Sequence, residues 1–205
     1  PVDGSTPQRL LAKLDRQIQE VTWSPDGRWL VLRTDNGAAG AGDIVGIRTS
    51  GDTTPVPLVA DQFTELHPAI SPDGPWIAYT SDESGTQEVY VRAFPATTAG
   101  RWQVSNGGGF QPRWSPDGRT LYFGSGDRLV AAEIRTTHGF EVVGVKPVLS
   151  PAAFPTDRFH QAYDVLPGGQ GVIFPRQWQA TPAGATPTVV EAENWLPDVR
   201  ALSRR

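Results

Sequence analysis

The stretch WSPDGRWLVL, residues 23–32, recurs along the chain and decides the fold. It returns as ISPDGPWIAY at residues 70–79 and as WSPDGRTLYF at residues 114–123, and a degenerate copy, VLPGGQGVIF, occupies residues 165–174. Successive copies are separated by roughly 45 residues. A period of this length is typical of propellers, solenoids and other repeat arrays.

Each copy has the pattern of a β-hairpin. Proline presets φ at the second turn position, the aspartate side chain can accept backbone hydrogen bonds, and glycine tolerates a positive φ. Two further apolar runs follow each intact hairpin. The third runs occupy residues 43–49, 88–94 and 128–134, and the fourth runs occupy residues 55–60, 101–105 and 140–149. Four short strands per repeat are typical of a propeller blade.

The repeats predict an all-β protein, a single β-propeller domain over residues 1–205 with about four blades of four antiparallel strands. The blades are expected at residues 19–60, 61–106, 107–150 and 160–192, with residues 6–12 completing the last one. Such pairing of the two chain ends would close a four-bladed ring. The same pattern also fits part of a larger propeller.

Composition restricts the function. The chain has a net charge of −4, which argues against a nucleic-acid partner. No apolar run is long enough to span a membrane. There is no cysteine, which excludes disulfides and thiolate chemistry. The chain starts at Pro1 and contains no methionine, as we expect of a processed or shortened protein.

Residues 71–95, SPDGPWIAYTSDESGTQEVYVRAFP, and residues 101–123, RWQVSNGGGFQPRWSPDGRTLYF, resemble the TolB-type, WD40-like propeller repeat. The likeness is greatest to the propellers at the C-terminus of bacterial receptor-like serine/threonine protein kinases. It implies a sensor or interaction module outside the cytoplasm, in the periplasm of a bacterium. It also implies structural roles for Asp26, Asp73 and Asp117. The chain itself has no kinase motif, neither HRD nor DFG.

The first strand of each blade lines the central channel of a propeller, so aligned positions on these strands form rings. One ring contains Glu20, His67, Gln111 and Ala162, and the next contains Thr22, Ala69, Arg113 and Asp164. Arg113 and Asp164 are expected to form an ion pair between neighbouring blades. The alternative is a Ca²⁺ ion bound by oxygens of Glu20, Gln111, Gln161 and Asp164, with His67 as a nearby base.

Ligand contacts are expected at Arg113 and His160, near the first strands of their blades, and at two tryptophans. Trp102 and Trp178 fall outside the repeat pattern and are predicted to form an exposed contact patch. The tryptophans that repeat are predicted to pack between blades: Trp23, Trp29, Trp76 and Trp114. The glycine-rich segment NGGG, residues 106–109, is interpreted as a plain linker between blades.

Two functions follow. The first is a non-catalytic ligand- or protein-binding sensor module that takes a protein, peptide or small molecule at the channel mouth. The alternative is a Ca²⁺-dependent hydrolase, a lactonase or esterase acting for instance on acyl-homoserine lactones, in which the metal polarises a carbonyl. Calcium is the only cofactor that the sequence suggests, and only for the hydrolase. A two-fold homodimer, in which two four-bladed units form one larger ring, is the assembly that the repeat number suggests.

Overall fold

The structure, a computed structural model, describes residues 10–35, 37, 42–149, 161–169, 171–176 and 188–192. These residues form fifteen β-strands joined by turns, and none of them lies in a helix. In this part of the chain no helix could therefore cross a membrane. The prediction of an all-β chain is confirmed.

The strands form four antiparallel sheets, numbered here as blades 1 to 4, in which the strand order follows the chain. Blade 1 contains β1 (Ile18–Trp23), β2 (Trp29–Asp35), β3 (Gly42–Arg48) and β4 (Val56–Val59). Blade 2 contains β5 (Glu65–Ile70), β6 (Trp76–Ser81), β7 (Glu88–Ala93) and β8 (Arg101–Gln103). Blade 3 contains β9 (Phe110–Trp114), β10 (Thr120–Ser125), β11 (Arg128–Arg135) and β12 (Glu141–Pro147). Blade 4 contains β13 (Asp164–Val165), β14 (Val172–Arg176) and β15 (Thr188–Ala192).

The blades follow one another as in a propeller. Their first strands are neighbours: β5 contacts β1 and β9, and β9 contacts β13. The propeller prediction is confirmed in this form. Completion of blade 4 by residues 6–12 stays a prediction, because residues 6–9 lie outside the described residues and residues 10–12 are not in a strand.

The repeated turn is stabilised by its own serine and aspartate. In blade 3 the Ser115 hydroxyl accepts a hydrogen bond from the Thr120 N–H at 2.9 Å and donates one to Asp117 at 2.6 Å. Asp117 also accepts a hydrogen bond from the N–H of Arg119 at 3.1 Å. The bond from Ser115 is the main reason that the pKa of Asp117 is lowered. Gly118 takes the left-handed conformation that the turn needs, with φ 69°.

The turn of blade 2 differs because Pro75 stands where Arg119 stands in blade 3, and proline has no N–H to donate to Asp73. We therefore expect Asp117→Ala to lower the free energy of unfolding by about 1 kcal/mol, a typical net value for lost hydrogen bonds. Asp73→Ala, its matched control, should lower it less. Urea unfolding measures both, and an equal or larger loss for Asp73→Ala would contradict this account of the turn.

Apolar clusters fill the three junctions between neighbouring blades. The first joins Val31, Ile44, Leu58 and Val59 of blade 1 to Ile77, Tyr79, Tyr90 and Phe94 of blade 2. The second contains Val89 and Val91 of blade 2 and Trp114, Leu121 and Phe123 of blade 3. The third contains Phe110, Tyr122 and Leu129 of blade 3 and Tyr163, Val172 and Phe174 of blade 4.

The repeated tryptophans follow the prediction at three of four positions. Trp114 is 8% exposed and donates its Nε1–H to the Ala69 carbonyl of blade 2 at 3.1 Å. Trp29 packs against Phe94, and Trp76 packs against Phe140 of the next blade. The prediction was wrong for Trp23, which is 59% exposed. Its place in the repeat matches that of Trp114, but no sheet among the described residues covers it in the way that blade 2 covers Trp114.

Candidate functional site

A hydrogen-bonded polar row crosses the inner strands of blades 2, 3 and 4. His67 Nδ1 lies 3.4 Å from the Thr80 hydroxyl, which accepts a hydrogen bond from the Gln111 N–H at 3.2 Å. The Gln111 side-chain oxygen accepts one from the N–H of Ala162 at 3.0 Å. The Tyr163 hydroxyl donates to the Gln111 carbonyl oxygen at 2.7 Å. The row therefore links blades 2, 3 and 4.

His67 and Gln111 share an unusual backbone. Both have a φ of 55°, the left-handed region that non-glycine residues rarely adopt. Both are fully buried, and each precedes a proline at the same position of its repeat. The left-handed conformation is therefore a feature of the repeat, and it determines the backbone direction of the first strand in blades 2 and 3. Because His67 is buried, the predicted role of a catalytic base receives no support from its position.

An open pocket of about 340 Å³ lies beside this row, between blades 3 and 4. Arg113 of β9 and residues 161–164 form its polar wall, and Ile173 and Phe174 of β14 form its apolar wall. We call it the channel-wall pocket. Arg113 of β9 and Asp164 of β13 meet there because they occupy equivalent positions of neighbouring repeats.

The channel-wall pocket contains one cation and one carboxylate. Arg113 Nε lies 3.7 Å from Asp164 Oδ1, and their side chains are 26% and 72% exposed. The predicted ion pair between blades is therefore present, but it is long and solvated, and a pair of this kind contributes little to stability. The separation leaves Arg113 with donors for another acceptor.

Two further polar groups border the pocket. The Gln161 amide nitrogen donates to the Tyr163 carbonyl at 2.9 Å, and its side-chain oxygen is buried with no hydrogen-bond partner in the described part of the chain. Burial raises the pKa of the Tyr163 phenol, which therefore stays protonated as a donor. A ligand that brings a donor to Gln161 would satisfy an acceptor that is otherwise left unpaired.

The four predicted calcium ligands do not form one coordination shell. Gln161 and Asp164 share the channel-wall pocket, whereas Gln111 directs its oxygen to Ala162 behind the pocket wall. Glu20 lies in blade 1 and pairs with Arg33 at 3.0 Å. Among the described residues there is no group of three or more His, Asp or Glu that could hold a metal ion. These residues do not fit a Ca²⁺ ion, and calcium binding stays an untested prediction.

Of the predicted contact patch of Trp102 and Trp178, the structure describes Trp102 alone. Trp102 packs edge-on against Trp76 at 5.4 Å and against Phe140 at 5.6 Å, so it belongs to the junction of blades 2 and 3. Trp102 is therefore partly buried rather than fully exposed, and its predicted role in ligand contact stays a prediction. His160 and Trp178 lie outside the described residues, and their roles stay predictions.

Sequence analysis missed the role of the NGGG segment. Gly107 and Gly108, with φ of 90° and 107°, both donate their N–H groups to one oxygen of Glu88 at 2.8 Å. The other carboxylate oxygen accepts a hydrogen bond from the Ser105 hydroxyl. Consecutive backbone N–H groups of this kind form an anion-binding nest. Here the carboxylate of Glu88 occupies the nest. The segment is therefore a turn held in place by hydrogen bonds, which we call the Gly-rich corner, and not a plain linker.

Comparison with known proteins gives a fold and no family. No protein-family model matches the chain, and no curated protein matches it. Among solved structures it is similar to TolB from Acinetobacter baumannii, with a TM-score of 0.65 and 18% identity over 94% of this chain. The chain spans 44% of the length of that TolB.

Two other similar structures are named for different functions. One is an auxiliary nutrient binding protein from Bacteroides thetaiotaomicron, with a TM-score of 0.53 and 13% identity over 77% of this chain and 42% of the other. The second is a putative 6-phosphogluconolactonase from Bacteroides uniformis, with a TM-score of 0.52 and 18% identity over 78% of this chain and 47% of the other. At these identities the likeness shows the propeller fold alone.

Proposed function

We propose that the chain is a non-catalytic binding module whose channel-wall pocket takes a small ligand, or the end of a peptide, with a carboxylate beside an apolar group. The observation that carries the proposal is the position of Arg113, a partly exposed cation held 3.7 Å from Asp164 beside an apolar wall. An arginine in this setting suits a carboxylate, which accepts two of its N–H groups. Ile173 can take the apolar part.

The proposal extends to the setting of the protein. The resemblance to the propellers of receptor-like kinases supports a sensor role outside the cytoplasm. The nutrient-binding neighbour supports a ligand-binding use of the same fold. The lactonase alternative has only a neighbour's name in its favour, since the described residues present no common set of metal ligands.

A charge-matched set of probes tests the pocket. N-acetyl-leucine carries only a carboxylate, leucinamide only an ammonium group, and N-acetyl-leucinamide neither. We expect calorimetry to detect N-acetyl-leucine as the tightest binder of the three. Arg113→Ala should weaken its binding about tenfold to a hundredfold, since a hydrogen bond to a charged group is worth roughly 1.5–3 kcal/mol.

Arg135→Ala is the control, because Arg135 pairs with Glu141 on the outer strands of blade 3 and is absent from the pocket lining. It should leave the affinity unchanged. Equal binding of the three probes, or equal losses for the two variants, would contradict the proposal. Hydrolysis of hexanoyl-homoserine lactone that stops when Ca²⁺ is chelated would favour the hydrolase instead.

A further inference from the structure

A buried glutamate lies at the junction between blades 1 and 2. Glu65, the first residue of β5, is 1% exposed. The backbone oxygen of Glu65 lies close to β3 of blade 1: a Cβ added to Gly42 would be 2.9 Å from this oxygen. One oxygen of its carboxyl group, Oε2, is buried and has no hydrogen-bond partner among the residues that the structure describes. A buried ionised carboxylate with an oxygen left unpaired is costly, so the site favours the neutral acid.

Three aspartates near Glu65 also favour its neutral form, and one arginine opposes them. After burial, the largest contributions come from Asp61 in the linker between the blades and Asp43 of blade 1, and Asp82 of the β6–β7 loop adds to them. Arg92 of β7 opposes them, although it is hydrogen-bonded to Asp61 at 2.7 Å. Together these groups raise the pKa of Glu65 from 4.5 to about 8.

Other charged groups at this junction already have partners. Arg16 forms an ion pair with Asp43. Arg33 of β2, whose Nε would lie 3.0 Å from a Cβ on Gly42, pairs with Glu20. His67, two residues along β5 from Glu65, lies against the Thr80 hydroxyl. Asp43, the other buried acid at this junction, is neutralised by Arg16, so Glu65 is the acid whose protonation changes the net charge between the two blades.

We infer that Glu65 is a proton-dependent latch: in its neutral form it lets blade 1 pack against blade 2, and its ionised form loosens that junction. No feature of the channel-wall pocket enters this inference, because that pocket lies between blades 3 and 4. The consequence is a propeller whose first junction opens more readily as the pH rises.

The direction follows from linkage. A carboxyl group can have a higher pKa in the folded protein than in the open one. It then stabilises the fold fully at a pH below the pKa of the open state, and this contribution is lost as the pH rises to the pKa of the folded state. For Glu65 the window runs from pH 4.5 to about 8. Within it, opening that hydrates Glu65 should become up to about tenfold easier per pH unit.

Amide hydrogen exchange, corrected for its intrinsic pH dependence, tests the latch in the wild type and in Glu65→Gln. Between pH 5 and pH 8 the wild type should lose protection in β3 and β5, while Glu65→Gln, neutral throughout, should lose far less. Glu133→Gln, a change at an exposed glutamate of β11, should behave as the wild type. Equal pH dependence in the wild type and Glu65→Gln would overturn the inference.

A second measurement does not depend on a variant that folds. The carboxyl carbon of Glu65, followed by NMR in the wild type, should titrate with a midpoint near pH 8. A midpoint near 4.5, the ordinary value for glutamate, would overturn the latch.

Discussion

Trp114→Ala is expected to lower the free energy of unfolding by about 3–5 kcal/mol, the usual cost of removing a large buried aromatic side chain. The ring is 8% exposed, packs at a right angle to Phe140, and donates its Nε1–H to the Ala69 carbonyl. Its removal would leave both a cavity and an unpaired acceptor between blades 2 and 3. Urea unfolding followed by circular dichroism measures the loss.

Trp23→Ala is the matched control, since Trp23 holds the same place in the first repeat and is 59% exposed. Its loss should stay within about 1 kcal/mol, as is usual at surface positions. Similar losses for the two variants would mean that position in the repeat, and not contact with a preceding blade, determines the packing of this tryptophan.

Gly109→Ala should be the second most damaging change, with a loss of about 3 kcal/mol or more in unfolding free energy, at the upper end of overpacking costs. A Cβ at Gly109 would lie 2.6 Å from the Cβ of Ser105 and 3.2 Å from a methyl group of Val89. Ser105 cannot yield without breaking its hydrogen bond to Glu88, the residue that holds the Gly-rich corner. Thermal and urea unfolding report the loss.

Gly144→Ala provides the comparison, because a Cβ there meets no atom within 4 Å. Alanine in place of this strand glycine should leave stability unchanged or raise it slightly, since it reduces the freedom of the unfolded chain. If Gly109→Ala proved as stable as Gly144→Ala, the close packing of the corner between blades 2 and 3 would be refuted.

The fold could be predicted because each repeat contains residues that mark its turns. Proline and glycine at the turns mark where strands end, and three intact copies place these marks at nearly the same spacing. The pairing of Arg113 with Asp164 could also be predicted from the sequence, since equivalent positions of neighbouring repeats lie next to each other. The strand register repeats from one blade to the next. An alignment of the repeats therefore predicts which residues of neighbouring blades are in contact.

The rest depends on contacts that no single repeat encodes. Trp23 is exposed because no sheet in the described part of the chain covers it, and Trp102 is partly buried because rings from two blades pack against it. Glu20 joins Arg33 because β1 has a bulge between Ile18 and Glu20, which breaks the regular register of that strand. The nest at Glu88 needs an acid and two glycines that lie far apart in sequence. Such pairings become visible only in three dimensions.

The central claim, that the channel-wall pocket binds a carboxylate ligand without converting it, is tested most directly by an NMR titration with N-acetyl-leucine. The account predicts saturable shifts of the Arg113 and Gln161 side-chain N–H signals and of the backbone of β9 and β13, with the probe recovered unchanged. Shifts that do not saturate, shifts confined to other blades, or chemical conversion of the probe would contradict it.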